Sequence, residues 1–190
     1  SRGGVKLAAG LDAFGIDPTG RTCLDVGAST GGFTDVLLAR GAARVYAVDV
    51  GHGQLHARLR SDPRVVLREG VNARLLSTAE VPEPCSLLVA DVSFISLRLV
   101  LPAAVPLLAP CAEAVLLVKP QFESERGEVG RGGIVRDPEV RARAVARIVA
   151  SAEALGLACL GTVDSPITGA DGNVKHLAAF RLGGSRGPSG

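Results

Sequence analysis

The sequence predicts an α/β fold: a single Rossmann-like domain around a mostly parallel sheet. Three observations predict it. Short apolar, β-branched runs alternate with longer stretches of helical periodicity, the pattern of βα units that feed a buried sheet. A glycine-rich turn follows the first of these runs, and an acid closes the second, 24 residues after the acid in the first. The chain has 190 residues, 47% of them hydrophobic, which is enough for one sizeable core.

Each element follows in order. Leu7, Leu11 and Phe14 recur at helical spacing and place a helix over residues 1–14. Thr22–Val26 reads as the first strand and residues 32–40 as the helix after it. A second strand over 45–50, a short helix over 54–60, a third strand over 65–67 and a fourth over 87–90 come next. Residues 97–108 read as a helix that Pro102 and Pro106 make irregular, ahead of a fifth strand over 115–118. Asp137-Pro138 is a strong helix start. Val140, Ala144, Ile148 and Ala152 then share one stripe of a helix over 137–155, which ends at Gly156. Two closing runs, 158–163 and 176–182, flank a turn-rich stretch with Pro166, Gly169, Asp171 and Gly172, and read as a C-terminal antiparallel hairpin at the sheet edge. The domain is expected over 1–182, with the Gly-, Ser- and Pro-rich residues 183–190 as a flexible tail.

Composition narrows the classes of function. No apolar run reaches the roughly 18 residues of a membrane span, and the first thirty residues lack the order of a signal peptide, so the expectation is a cytoplasmic protein with no membrane partner. Cys23, Cys85, Cys111 and Cys159 stand far apart, which argues against a metal site or a disulfide framework and for buried thiols. A net charge of +2 lacks the strong basic footprint of a dedicated nucleic-acid binder. Of 21 basic residues only three are lysines, Lys6, Lys119 and Lys175. Lysine, unlike arginine, can shed its proton when buried or crowded by like charge; a bias towards arginine codons accounts for the same count. Composition leaves the oligomeric state unassigned.

The run Asp25-Val26-Gly27-Ala28-Ser29-Thr30-Gly31-Gly32-Phe33 carries the sharpest chemistry. Gly27 suits a tight turn, Gly31 and Gly32 suit close approach to a ligand, and the helix start offers free N–H groups to a carboxylate. Asp49, followed by Val50, stands where a carboxylate can accept bonds from both hydroxyls of a ribose. The spacing Gly27-x-x-x-Gly31-Gly32, with an acid two residues before, differs from a dinucleotide fingerprint and suits S-adenosylmethionine, whose ammonium Asp25 would help balance. Asn72 falls where adenine would be met, or forms a turn. Asp91 and Lys119 follow apolar strands, where a charge needs a reason, and adjacent strands would bring them together beside the cofactor. The segment 121–137, with Arg126, Arg131 and Arg136 among glycines, reads either as a mobile loop over phosphates or as a solvated one.

Several motifs in order then carry a resemblance: Ser1-Arg2 with Lys6-Leu7, Asp25 through Phe33-Thr34, Ala90-Asp91-Val-Ser-Phe-Ile-Ser96, Val118-Lys119-Pro-Gln-Phe-Glu123 and Gly172-Asn173-Val174. Together they resemble the TlyA family of haemolysin-like ribosomal RNA 2'-O-methyltransferases, related to the wider FtsJ group, from Ser1 to about Leu182. The resemblance implies a Rossmann-like methyltransferase fold with a seven-stranded sheet, S-adenosylmethionine as methyl donor, and ribosomal RNA or ribosomal subunits as partner. It implies a Lys-Asp-Lys-Glu catalytic set, of which Lys6, Asp91 and Lys119 carry over. The fourth position holds Lys175 where the family has Glu, so three lysines would face one carboxylate and repulsion should lower at least one lysine pKa. The family's small RNA-binding domain precedes the Ser-Arg motif, so that module is expected to be absent from this chain. Two alternatives stay open at this point: a small-molecule O-methyltransferase with a site retuned by Lys175, and a cofactor-binding homologue without catalysis.

Overall fold

A computed structural model describes residues 1–184; residues 185–190 of the expected tail lie outside the described residues. Seven strands form one sheet in the order β3-β2-β1-β4-β5-β7-β6. The parallel strands are β1 (Thr22–Val26), β2 (Arg44–Val48), β3 (Val65–Arg68), β4 (Cys85–Ala90) and β5 (Leu108–Val118). β6 (Leu157–Asp164) and β7 (His176–Leu182) close the sheet in antiparallel pairing. The hairpin forms as expected, but β7 is inserted between β5 and β6, so β6 is the edge strand and Lys175 precedes an interior one.

The helices cover both faces. α1 (Arg2–Phe14), α2 (Gly32–Ala39) and α3 (Ala57–Arg60) seal one side, where Leu7, Leu11, Phe33, Leu37 and Leu59 join Val115 and Leu177 of the sheet in one buried cluster. α4 (Leu97–Ala104) and α6 (Pro138–Ala154), with the short α5 (Pro120–Glu123) between them in the chain, seal the other, where Leu97, Leu101, Ile148 and Ala152 meet Leu24, Leu88, Leu116 and Phe180. The stripe on α6 is buried as its period requires: Val140, Ala144, Ile148 and Ala152 all face in. Among the described residues no helix is long and apolar enough to cross a membrane.

Several boundaries differ from expectation, among them a helix start at Ala57 and a fourth-strand start at Cys85, and three differences bear on the site or the sheet. The second strand stops at Val48, which frees Asp49 and Val50 to form the loop beyond it. The expected helix over 97–108 ends at Ala104, passes through one 3-10 turn at Val105–Leu107 where Pro106 sits, and turns into β5 at Leu108. β5 begins seven residues early because its first half is irregular: its pairing with β4 slips between Cys85 and Leu87, and Cys111 takes φ 62°. The buried Glu113 in that half is held by Arg21 Nη2 at 2.7 Å and Arg181 Nη2 at 3.0 Å. Of the four thiols only Cys23 and Cys85 are buried, and burial pushes both up to about 12; Cys111 is exposed and Cys159 half-buried.

Candidate active site

The carboxyl ends of the parallel strands share one edge, and the loops after them build the site there, as open α/β sheets do. Register sets the neighbours. Val26 pairs with Ala90, so Gly27 and Asp91 emerge side by side. Gly27 has φ 83°, and a Cβ on it would stand 2.1 Å from the Asp91 carbonyl oxygen, so glycine there is demanded by Asp91 as much as by the turn. β7 runs against β5 with His176 opposite Val118, and this brings Lys175 to the same edge as Lys119.

Two cavities open along this edge. One, of about 500 Å³, is walled by Gly27, Ser29, Asp49, Val50, Asn72, Asp91 and apolar groups including Val71, Ala73 and Ile95. The other, of about 360 Å³, is walled by the turn from Gly27 to Thr30 with Gly32 and Phe33, by Asp91, and by Ser1, Arg2 and Lys6 of α1. Asp91 lines both. Asp49 is pre-set by backbone N–H groups: Oδ2 accepts from Ser29 at 2.8 Å and Oδ1 from Gly51 at 2.8 Å, which leaves lone pairs on each oxygen for ribose hydroxyls. Asn72 uses its Oδ1 to cap the turn at Ala73–Leu75, as its turn reading expects, and it also stands in the wall of the larger of these two cavities. No side-chain hydrogen bond caps α2 at Gly31, and Gly32 and Phe33 of its first turn line the smaller cavity.

Asp25 departs from expectation. It lies fully buried beneath the turn, not on a cavity wall; Oδ2 accepts from Thr34 Oγ1 at 2.7 Å, and Oδ1 has no partner among the described residues. Burial pushes its carboxyl up to about 7, against the Thr34 bond and with repulsion from Asp91 and Asp49. Packing also asks for Gly31 and Gly32: a Cβ at 31 would stand 2.2 Å from Leu59 Cδ1, and one at 32 would stand 2.7 Å from Ser1 Oγ, so α3 and α1 lie close against the turn, while Gly32 also lines the smaller cavity.

The charged set assembles. Lys119 Nζ lies 2.6 Å from Asp91 Oδ1 and donates to Ser93 Oγ at 2.8 Å, with Lys119 almost wholly buried. Lys6, equally buried, reaches the smaller cavity from α1. Lys175 lies near enough to feel this cluster: burial and then repulsion from Lys6 and Lys119 push it down to about 8, against attraction from Asp91 and Asp171. The lowered lysine that the three-against-one count predicts is therefore Lys175.

Other motif residues turn out to be supports. Glu123 accepts from Leu97 N at 2.8 Å and from Ser96 Oγ, capping α4. Asn173, 1% exposed, accepts from Val135 N at 3.0 Å and donates to Gly133 O at 3.0 Å and Asp171 Oδ2 at 2.8 Å. With Glu128 bound by Arg143 and Arg147, these bonds anchor the glycine-rich stretch, which the sequence reads either as a mobile loop over phosphates or as a solvated one. Ser93 and Phe94 are among the residues of the site that escaped the sequence reading; Phe94 is 90% exposed at φ 62°, and its ring sits 5.1 Å from that of Phe122. Both stand within a quoted motif, but only the fold shows that one binds Lys119 and the other faces solvent.

Comparison with known proteins agrees with this geometry. Residues 1–182 match the FtsJ-like methyltransferase family. The 16S/23S rRNA (cytidine-2'-O)-methyltransferase TlyA of Mycobacterium tuberculosis is 52% identical over 181 residues, covering 95% of this chain and 68% of that protein. Hemolysin A of Brachyspira hyodysenteriae is 45% identical, covering 95% of this chain and 75% of that one. A crystal structure of a candidate hemolysin from Lactococcus lactis superposes with a TM-score of 0.92 at 46% identity, covering 95% of this chain and 87% of that one. The chain belongs to the FtsJ-like methyltransferase family, in the TlyA branch that its motifs resemble.

Proposed function

We propose that this chain transfers the methyl group of S-adenosylmethionine to a ribose 2'-hydroxyl of ribosomal RNA. The observation that carries the reading is Asp91, which walls both cavities and pairs with Lys119 at 2.6 Å. The residues fit the cofactor. Asp49 offers acceptors to the ribose, the apolar wall of Val50, Val71, Ala73 and Ile95 with Asn72 suits adenine, and Ser29, Thr30 and Gly32 at the α2 N-terminus, with Arg2 and Lys6, suit the carboxylate. The bound cofactor supplies an electrophilic methyl on a sulfonium.

The chain's own part is to place the acceptor oxygen and hold its charge. Lys119, fixed by Asp91 and Ser93, has an N–H left for the acceptor oxygen as negative charge develops on it, and the buried Lys6 adds positive potential beside it. RNA as acceptor is supported by the TlyA relative and by the groove at the mouth, where Phe94 and Phe122 offer aromatic faces between Arg74 and Arg126.

The test is titration with the cofactor followed by transfer of labelled methyl to purified ribosomal subunits. The expected result is binding, 2'-O-methylation, and at least about a hundredfold slower transfer by Asp91→Asn. Cofactor binding with no label on either subunit, or with label on a small acidic acceptor instead, overturns the reading.

A further inference from the structure

The segments that follow β4 and β5 leave the sheet side by side and are joined at matching steps. Lys119 holds Asp91 at 2.6 Å and Ser93 at 2.8 Å, the Phe122 ring lies 5.1 Å from that of Phe94, and Glu123 accepts from Ser96 Oγ and, at 2.8 Å, from Leu97 N. The turn held in this way has two uses. Asp91, Ser93, Phe94 and Ile95 wall the larger cavity of the sheet edge, and Phe94, Ile95 and Ser96 wall the groove shared with Phe122. On the methyltransferase reading above, it is therefore the common wall between cofactor and acceptor. We infer that Glu123 is a positioning residue for methyl transfer: by clamping the far end of this turn, it keeps cofactor and acceptor in register.

The clamp is built from buried parts. Leu97 is 1% exposed, and its N–H lies in the first turn of α4, where the helix itself offers no acceptor; Glu123, 3% exposed, supplies one from another element. The second carboxylate oxygen takes the Ser96 hydroxyl hydrogen, which leaves lone pairs of Ser96 Oγ for Arg98 N at 3.1 Å. A short chain of bonds thus runs from Glu123 through Ser96, the N-cap of α4, into that helix. Glu123 is itself anchored from behind. Its backbone carbonyl accepts from Arg147 Nη1 of α6 at 3.1 Å, and Arg147 is paired with Glu128.

Phe94 shows why the turn needs a hold at its far end. It is 90% exposed and has φ 62°, a left-handed conformation that is costly for a bulky side chain. Lys119 fixes the start of the turn, at Asp91 and Ser93. Released at Ser96 and Leu97, the backbone would relax out of the strained conformation and carry Phe94 and Ile95 with it, moving a wall of both spaces at once. A displacement of about 1 Å is enough to slow a transfer about a hundredfold.

The test is single-turnover transfer to ribosomal subunits with the cofactor saturating, so that cofactor affinity does not enter the rate. Glu123→Ala should slow transfer about a hundredfold, and Glu123→Asp, one methylene too short to reach Leu97 N, nearly as much. Glu123→Gln keeps the reach, an acceptor for Leu97 N and a partner for Ser96, and should come within about fivefold of the parent. Ser96→Ala should fall between them. Added to Glu123→Ala it should slow transfer no further, because both changes cut one chain of bonds. The chain has no tryptophan, so Phe94→Trp places a single fluorophore on the turn. Its anisotropy should fall when Glu123→Ala is added and hold when Glu123→Gln is added. A merely structural carboxylate would instead lower the urea midpoint of Glu123→Ala and leave transfer at saturation unchanged. That pattern, or Glu123→Gln as slow as Glu123→Ala, overturns the assignment while the methyltransferase reading stands; should Glu123→Ala fail to fold, parent-like transfer by Glu123→Asp overturns it in the same way. No transfer by the unaltered protein overturns both.

Discussion

At the scale of single residues, the site is built from groups whose neighbours matter more than their own chemistry. Gly27 is glycine because the Asp91 carbonyl occupies the space of a side chain, and so the turn and the catalytic strand end are fitted to each other. Asp25 illustrates the cost of such fitting. Its folded carboxyl is pushed up to about 7 by burial, from an ordinary value near 4, so between those pH values the folded state binds a proton that the unfolded chain releases. Stability therefore falls as pH rises from about 4 to about 7, and the deficit persists above that window. Asp25→Asn keeps an acceptor for Thr34 and removes the buried charge; it should be more stable than the parent at pH 8, by on the order of a few kcal/mol, and equal to it near pH 4. Urea unfolding at the two pH values measures this, and an equal gain at both would show that charge is not the cause.

At the scale of elements, the loops around the site are held by side chains from distant parts of the chain. Asn173 joins the segment before β7 to the one before α6, and its bonds satisfy the buried Val135 N–H and the Gly133 carbonyl. Asn173→Ala leaves the Val135 N–H without its partner and should cost about 1–3 kcal/mol. It should also loosen Lys175, so transfer should fall more than cofactor affinity does; a loss of stability with unchanged transfer would limit Asn173 to a structural part. The sequence made the strands and helices legible because their periods are physical: the stripe on α6, the buried strands and the acids at the ends of β1 and β2 all follow from burial. It was less informative where tertiary contacts decide. The early start of β5 depends on Glu113 finding two arginines from elsewhere in the chain, and the exposure of Phe94 depends on how the loop after β4 leaves the sheet. Lys6, Asp91, Lys119 and Lys175 were legible as charges in apolar settings or within motifs. That Asp25 lies beneath the pocket was not, because an acid before a glycine turn looks the same from either side.

At the scale of the whole molecule, the sheet separates function from stability by length. The carboxyl ends of the parallel strands carry the site, while at their opposite ends Glu113 of β5 binds Arg21, just ahead of β1, and Arg181 near the close of β7. This ion cluster fixes the three central parts of the sheet at the end remote from Asp91 and Lys119. Removing the carboxylate leaves two guanidiniums facing each other with less compensation, and because both are partly exposed the cost should be about 2 kcal/mol, below that of a fully buried pair. Glu113→Ala should thus lower the unfolding free energy by that amount while cofactor affinity, measured well below the melting transition, changes by less than about twofold. The central strands β1 and β4 and the second half of β5 are buried, so a rigid sheet would isolate the two ends from each other. A large drop in affinity in Glu113→Ala would show instead that the register of β5 against β7, and with it the approach of Lys175 to Lys119, is set from the far end of the sheet.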